Sequence, residues 1–123
     1  MALTVNHPLL KETRVQTQTT SIGGTPLACY AGIPIRGRIS KIQAVDQGAI
    51  TTADCTMTVA VNGTTNTALA FTIALTGAAA GRVTAATPTS AVYVSEDDYI
   101  TLTPSGASGS SIGCVFTISV QAA

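Results

Sequence analysis

The chain has few charged and few aromatic residues, and both shortages restrict what it can bind. Charged residues make up 10% of its 123 residues, against roughly 25% in a typical soluble domain. Six Lys and Arg balance six Asp and Glu, so the formal net charge is zero. Phosphate binding depends on a clustered basic face, and stacking of single-stranded bases depends on aromatic side chains. With no Trp, two Phe and three Tyr, we expect no nucleic acid partner.

Long apolar runs are also missing. No stretch of 18 apolar residues occurs, so we expect no membrane-spanning segment. The first residues lack the charged start and apolar block of a signal peptide, and we therefore expect synthesis in the cytoplasm without secretion by that route. A surface with so little charge is suited to packing against other proteins, because like-charge repulsion is what keeps monomers apart.

Motifs for metal binding and redox chemistry are absent. No two cysteines form a C-x-x-C pair, and we expect the three cysteines to be small buried residues, at positions Cys29, Cys55 and Cys114. The acidic run Glu96–Asp98 lacks the spacing that supplies six or more oxygen ligands to calcium. It is predicted to be a solvated turn, with a possible ion pair to Arg36 or Arg38. We expect no metal and no cofactor.

One hydrolase pattern does occur, at Gly109–Gly113, where the order of residues is G-x-S-x-G. That pattern works on a strand-to-helix turn with histidine and acidic partners. Here it lies in a Gly/Ser-rich segment, and the single histidine, His7, is far away in the sequence. We therefore expect that this protein is not an enzyme. A hydrolase using Ser111 ranks last among three hypotheses for the function.

The dominant pattern is an alternation of apolar and polar residues with a period of two. It is clearest before and after Asn62-Gly63, a dipeptide typical of tight hairpins. The pattern predicts an all-β fold, an antiparallel β-sandwich of jelly-roll type. Ile39 and Ile42 are out of step within one strand, which predicts a phase change or bulge. The predicted core consists of Met57, Val59, Val61, Leu69, Phe71, Ile73, Phe116 and Ile118.

Residues 1–21 show no strong periodicity and are polar. We interpret them as an extended N-terminal arm that is ordered when it lies on a neighbour. The sandwich domain is then residues 22–123, after a break at Gly23-Gly24 and Pro26.

Several blocks of the sequence together resemble a known protein family over about residues 21–120. The blocks are Gly23–Pro26, Pro34–Ile39, Gly48–Asp54, Gly77–Gly81, Ala86–Thr89, Val94–Ile100 and Pro104–Gly109. This series is similar to the decoration, or cement, proteins of tailed-phage heads, which are encoded beside the major capsid protein. The resemblance consists of turns and strand edges and contains no catalytic motif.

The resemblance implies a trimeric, jelly-roll-like protein that binds the outside of the phage head and bridges neighbouring capsomers. Its partners would be the major capsid protein and two further copies of itself, and its place would be the virion. We expect the arm to contact the capsid or a neighbouring subunit, through His7, Leu9, Leu10, Lys11 and Arg14. A trimer or capsid interface is predicted at Tyr30, Arg36 and Arg38, although Tyr30 fits packing at the edge of the core equally well.

The leading hypothesis is therefore a virion structural protein. The second is a different component of the same particle, such as a tail protein, a fibre or a carbohydrate-binding β-sandwich. A sugar-binding sandwich normally presents aromatic residues on an exposed face, and so few aromatic residues argue against it.

Overall fold

The computed structural model describes residues 12–105 and 111–122 of the chain. Every strand pairing among these residues is antiparallel, and the strands form two sheets that pack face to face. The predicted all-β class and the antiparallel, jelly-roll-like sandwich are confirmed. The ten strands are β1 (Glu12–Thr19), β2 (Cys29–Gly32), β3 (Gly37–Asp46), β4 (Cys55–Val61), β5 (Thr64–Thr65), β6 (Phe71–Ile73), β7 (Val83–Ala86), β8 (Tyr93–Val94), β9 (Tyr99–Pro104) and β10 (Cys114–Ala122).

The two sheets contain five strands each. In the first sheet the order is β1-β10-β3-β7, and the short β8 also pairs with β3. In the second sheet the order is β2-β9-β4-β5, and β6 also pairs with β4. Neighbours in each sheet are mostly distant in sequence, so the chain crosses repeatedly between the two layers.

The core lies between the sheets and follows from the alternation in the sequence. In β10, for example, the inward residues Cys114, Phe116, Ile118 and Val120 are all fully buried. Phe71 on the second sheet meets Phe116 on the first, edge to face, with 6.4 Å between the ring centroids. All predicted core residues are buried except Val61, which is half-buried at the end of β4. The three cysteines are free thiols and are buried, as expected.

The predicted phase change in β3 is also present. The pairing between β3 and β10 shifts register between Ser119 and Val120, which pair with Lys41 and Ile39. Ser40 is therefore the extra residue of a bulge. Because of this residue, Ile39 and Ile42 both point into the core and are 1% exposed.

The predicted hairpin after Asn62-Gly63 differs from the observed one. Both turn residues have positive φ, 52° and 85°, as a tight hairpin turn requires. The returning chain, however, is not one strand. The side chain of Asn66 accepts a hydrogen bond from the Ala68 N–H and caps a 3₁₀ turn over Thr67–Leu69, which separates β5 from β6.

The predicted arm, residues 1–21, also differs where the structure describes it. Residues Glu12–Thr19 form β1, an edge strand that pairs along its whole length with β10. Its inward positions are Thr and Val, and the Thr17 and Thr19 hydroxyls donate to the Tyr30 and Leu27 carbonyls. An apolar period is hard to see when the inward side chains are mostly threonine. Residues 1–11 lie outside the described residues, so the arm there stays a prediction.

Candidate interaction surfaces

Exposed tyrosine, arginine and acidic side chains lie together at one end of the sandwich. This end is formed by the loop over residues 33–36, the Asn62-Gly63 turn and the turn over residues 95–98. We call it the acidic end, because the last of these turns contains Glu96, Asp97 and Asp98. By the strand register, β1 begins here and β10 ends here, since Glu12 pairs with Gln121 and Gln121 with Arg38. The segment that precedes β1 therefore joins the sandwich at this end.

Hydrogen bonds hold the acidic turn in place. The two carboxylate oxygens of Asp98 accept hydrogen bonds from the Asn62 side chain at 3.0 Å and from the Ser95 N–H at 2.8 Å. The Asn62 side chain also accepts from the Tyr99 N–H at 3.0 Å. The bond from Asn62, followed by the bond from Ser95, lowers the pKa of Asp98 below its ordinary value. The turn between the two sheets is thus locked to the hairpin turn beside it.

A tyrosine pair stands on the outer face of the second sheet, next to this turn. Tyr30 is 64% exposed and Tyr99 is 42% exposed, and their ring centroids are 6.4 Å apart with the planes tilted by 52°. The other outward side chains of β2, β4 and β9 belong to Gly32, Thr56, Thr58, Ala60, Thr101 and Thr103. No charged residue occurs on the outward side of these three strands, so the pair lies on a neutral sheet face.

The outer face of the first sheet has the opposite character. Arg14, Arg38 and Lys41 point outward there: Arg14 and Lys41 flank Ser119 in one row, and Arg38 lies in the row of Gln121. Arg38 donates to the Gln121 side-chain oxygen at 2.9 Å. Its β8 partner is Tyr93, the most exposed of the three tyrosines at 71%.

Two shallow depressions adjoin Arg38, each of about 230 Å³. One is lined by Arg38, Tyr93, Gln121 and Ala122, and the other runs along the edge of β3 past Pro88 and Ala91. Sites for small molecules usually enclose roughly 300–1,000 Å³. Open depressions of this size are better suited to part of a protein contact than to a substrate.

The structure places the predicted interface residues at the same end but on different faces. Tyr30 faces outward from the second sheet and Arg38 faces outward from the first. Arg36 is exposed in the loop between them. Arg14 is an exposed residue of β1 and forms an ion pair with Glu12 at 3.2 Å. The other predicted contacts, His7, Leu9, Leu10 and Lys11, lie outside the described residues. Contact roles for all eight residues stay predictions.

A buried ion pair at the opposite end was not predicted from the sequence. The Asp46 side chain is fully buried, and the Arg82 guanidinium donates to it at 3.1 Å. The same guanidinium donates to the Thr76 carbonyl at 2.8 Å and to the Ala74 carbonyl at 2.5 Å. Burial raises the pKa of Asp46, and the nearby Arg82 opposes that rise. The pair fastens the loop before β7 to the end of β3.

The buried thiol beside this pair is not a nucleophile. Burial, together with the negative charge of Asp46, raises the pKa of Cys114 to about 12. A thiol attacks as the thiolate, and this one stays protonated at neutral pH. Cys114 is therefore a packing residue of the hydrophobic core.

The remaining sequence patterns concern metal binding, membrane spanning and hydrolysis. Within residues 12–105 and 111–122, no group of three or more His, Cys, Asp or Glu side chains could hold a metal ion. In the same part of the chain, no helix is long and apolar enough to cross a bilayer. Of the G-x-S-x-G pattern, Gly109 and Ser110 lie outside the described residues, as does His7.

Comparison with known proteins identifies the fold and no sequence family. No family model and no curated protein sequence matches the chain. Among solved structures, a chain from the acid-stable capsid of Helicobacter pylori bacteriophage KHP30 is similar, with a TM-score of 0.58 and 10% identity. The match covers 89% of this chain and 86% of that one.

Two further solved structures are similar over most of their length. A chain from the capsid asymmetric unit of cyanophage Pam1 has a TM-score of 0.56 and 15% identity, over 91% of this chain and 85% of that one. The CBM36-1 domain of a multidomain xylanase, from the hindgut metagenome of Trinervitermes trinervoides, has a TM-score of 0.59 and 11% identity. The match covers 91% of this chain and 98% of that domain. Identities this low show a shared β-sandwich fold.

Proposed function

We propose that this protein is a non-enzymatic structural component of a phage virion. In this proposal it binds the outside of the head as a homotrimer and stabilises contacts between major capsid protein subunits. The observation that carries the proposal is the composition of the acidic end. Three exposed tyrosines, Arg36 and Arg38 surround it, and the N-terminal segment joins the fold there. Tyr and Arg are enriched at protein interfaces, where most other charged residues are depleted.

One further finding supports the proposal: the sandwich shares its fold with chains from two phage capsids. The resemblance of the sequence blocks to head decoration proteins agrees with the proposal and stays a prediction. The two depressions beside Arg38 enclose about 230 Å³ each, which is less than a typical site for a small molecule. No reactive group is required, because a protein that binds the assembled head, and not the dissociated subunits, stabilises the head by mass action. Three linked copies raise the effective concentration of each contact.

The test is binding to heads of the encoding phage that were assembled without this chain. Purified protein is titrated onto such heads, cosedimentation gives the bound amount, and the temperature of DNA release gives the stability of the head. We expect saturable binding and a release temperature that rises with occupancy. A protein without residues 1–11 should bind more weakly, since the predicted arm contacts are lost. Heads that bind no protein, or bind it with no change in release temperature, would contradict the proposal.

A second candidate is a carbohydrate-binding component of the particle, and the tyrosine pair favours it. Few aromatic residues argued against this function, but the structure exposes all three tyrosines and places two of them together on a neutral face. Tyrosine rings stack on the apolar faces of sugar rings, and the Asn62 and Asp98 side chains nearby provide polar partners. The ligand would be a neutral glycan.

Binding of neutral glycans on an array, followed by NMR titration of the best ligand, tests this candidate. Tyr30→Ala should abolish the chemical shift changes. Tyr93→Ala is the matched control, because it removes an equally exposed ring from the opposite face. If no glycan binds, or if both variants lose binding equally, the tyrosine pair is not a sugar site.

A further inference from the structure

The charged residues of this neutral chain are separated in space. Three of its six acidic residues lie in the turn over residues 95–98, and three of its six basic residues lie on the outer face of the first sheet. We call Tyr30, Tyr99, Glu96, Asp97 and Asp98 the tyrosine–acidic surface. Arg14, Arg38, Lys41 and Tyr93 form the basic surface. Each surface combines exposed tyrosine with charges mainly of one sign. Glu12 also lies on the basic surface, in the row of Arg38, and pairs with Arg14.

Few of these charges have a partner of opposite sign within the chain. Among the described residues, the ion pairs are Arg14 with Glu12 and Arg82 with Asp46. Arg38 bonds a neutral glutamine, and the Asp98 carboxylate bonds an amide and a backbone N–H. The carboxylates of the turn and the cations Arg38 and Lys41 are thus available to opposite charges from outside.

The two surfaces lie on different sides of the same end. Tyr93 is in β8, on the first sheet, and the chain then passes through the acidic turn to Tyr99 in β9, on the second sheet. A twofold dimer through either surface would place like charges together. Contact between the tyrosine–acidic surface of one copy and the basic surface of the next pairs opposite charges instead. A repeated contact between two different patches closes into a ring when the rotation between neighbours completes a full turn, and it otherwise gives an open filament.

We propose that the occupant of each surface is a second copy of this chain, bound head to tail. The tyrosine–acidic surface of one protomer packs on the basic surface of the next, and three such contacts close the homotrimer. This inference rests on the homotrimer proposed above. It assigns Tyr30 and Arg38 to opposite sides of one protomer contact, and it leaves Arg36, which belongs to neither surface, outside that contact.

Charge reversal with solution mass as the readout tests the contact. One chain is 12.4 kDa, so a trimer has three times 12.4 kDa, or 37.2 kDa, by light scattering. Arg38→Glu alone should shift the midpoint of trimer dissociation to a protein concentration about thirtyfold higher or more. Glu96→Lys with Asp97→Lys should do the same. All three substitutions in one chain should restore the trimer, because the charges then face each other with signs exchanged.

Arg36→Glu is the matched control, since it makes the same change of charge at the same end. It should leave the dissociation midpoint unchanged, and unfolding curves verify that each variant is folded. The proposal is overturned if the wild-type protein is a monomer in solution, if Arg36→Glu acts like Arg38→Glu, or if the triple variant stays dissociated. Head binding by the same variants separates the two proposals: charge-reversed variants that stay trimeric and saturate heads as wild type does would leave the virion role standing and rule out this contact.

Discussion

Replacing Arg82 with methionine should destabilise the protein in a way that depends on pH. Methionine preserves most of the side-chain length but leaves the Asp46 carboxylate buried without its cation. Breaking a buried ion pair typically costs about 3–5 kcal/mol. The Arg82 side chain is 19% exposed and that of Asp46 is 0% exposed, so the pair is partly hydrated. We therefore expect a loss of about 3 kcal/mol at neutral pH, the lower end of that range.

The direction of the pH dependence follows from the pKa of Asp46. Burial raises this pKa above the ordinary 3.8 and Arg82 opposes the rise, so the pKa should rise further in Arg82→Met. A carboxyl with a raised pKa in the folded state contributes stability below its unfolded pKa and loses that contribution as pH rises through the folded pKa. The loss of stability in Arg82→Met should therefore be larger at neutral pH than in acid. A part that does not depend on pH remains, because the hydrogen bonds from Arg82 to the Thr76 and Ala74 carbonyls are lost at every pH.

Urea unfolding at about pH 4 and about pH 8 measures both free energies. The matched control is Asp46→Asn combined with Arg82→Met, which removes the buried charge together with its partner. This double variant should recover the part of the loss that comes from the unpaired Asp46 charge, but not the part from the hydrogen bonds to the Thr76 and Ala74 carbonyls. Its loss should therefore be similar at both pH values. An equal loss at both pH values in Arg82→Met, or a double variant as unstable as Arg82→Met, would refute the reasoning.

Two other predictions concern the core and the acidic turn. Phe71→Ala should lower the unfolding free energy by about 3–5 kcal/mol in urea titrations, because it empties a buried site that meets the Phe116 ring edge to face; a loss below about 1 kcal/mol would mean that this ring contributes little to the core. Asp98→Asn should flatten the fall in stability in acid, because hydrogen bonds lower the pKa of Asp98 and its stabilisation is lost as pH falls through the lowered value. Asp97→Asn is the control, because it removes a charge in the same turn and leaves the hydrogen bonds of Asp98 in place. Equal slopes for Asp98→Asn and wild type would show that the hydrogen-bonded carboxylate does not contribute.

Sequence patterns predicted the fold well where apolar residues alternate. The strands around Asn62-Gly63 and the last strand have apolar inward faces, and Ile39 and Ile42 mark the bulge directly. Alternation failed for β1, because three of its inward positions are threonine: Thr13, Thr17 and Thr19. The hydroxyls of the last two donate to the Tyr30 and Leu27 carbonyls, and hydropathy does not register such contacts. A local side-chain cap at Asn66 interrupted the returning strand, and such caps compete with strand pairing.

The interaction surfaces could be predicted in part. The interface roles of Tyr30, Arg36 and Arg38 stay predictions. Which face each of these residues occupies depends on strand order, which short-range patterns do not encode. The exposure of Tyr99 follows from its being out of phase with Ile100 in β9. No local signal points to the Asp46–Arg82 pair, because its members are separated by 36 positions and meet only after the loop before β7 folds back on β3.

The amount of this chain in purified virions tests the central claim most directly. Quantitative mass spectrometry of particles, washed at high salt and separated by density, gives its ratio to the major capsid protein. A virion structural protein should be present at a constant ratio in independent preparations and should localise to the outside of the head in electron micrographs. Absence from the particles, or a ratio that falls towards zero with washing, would contradict the account.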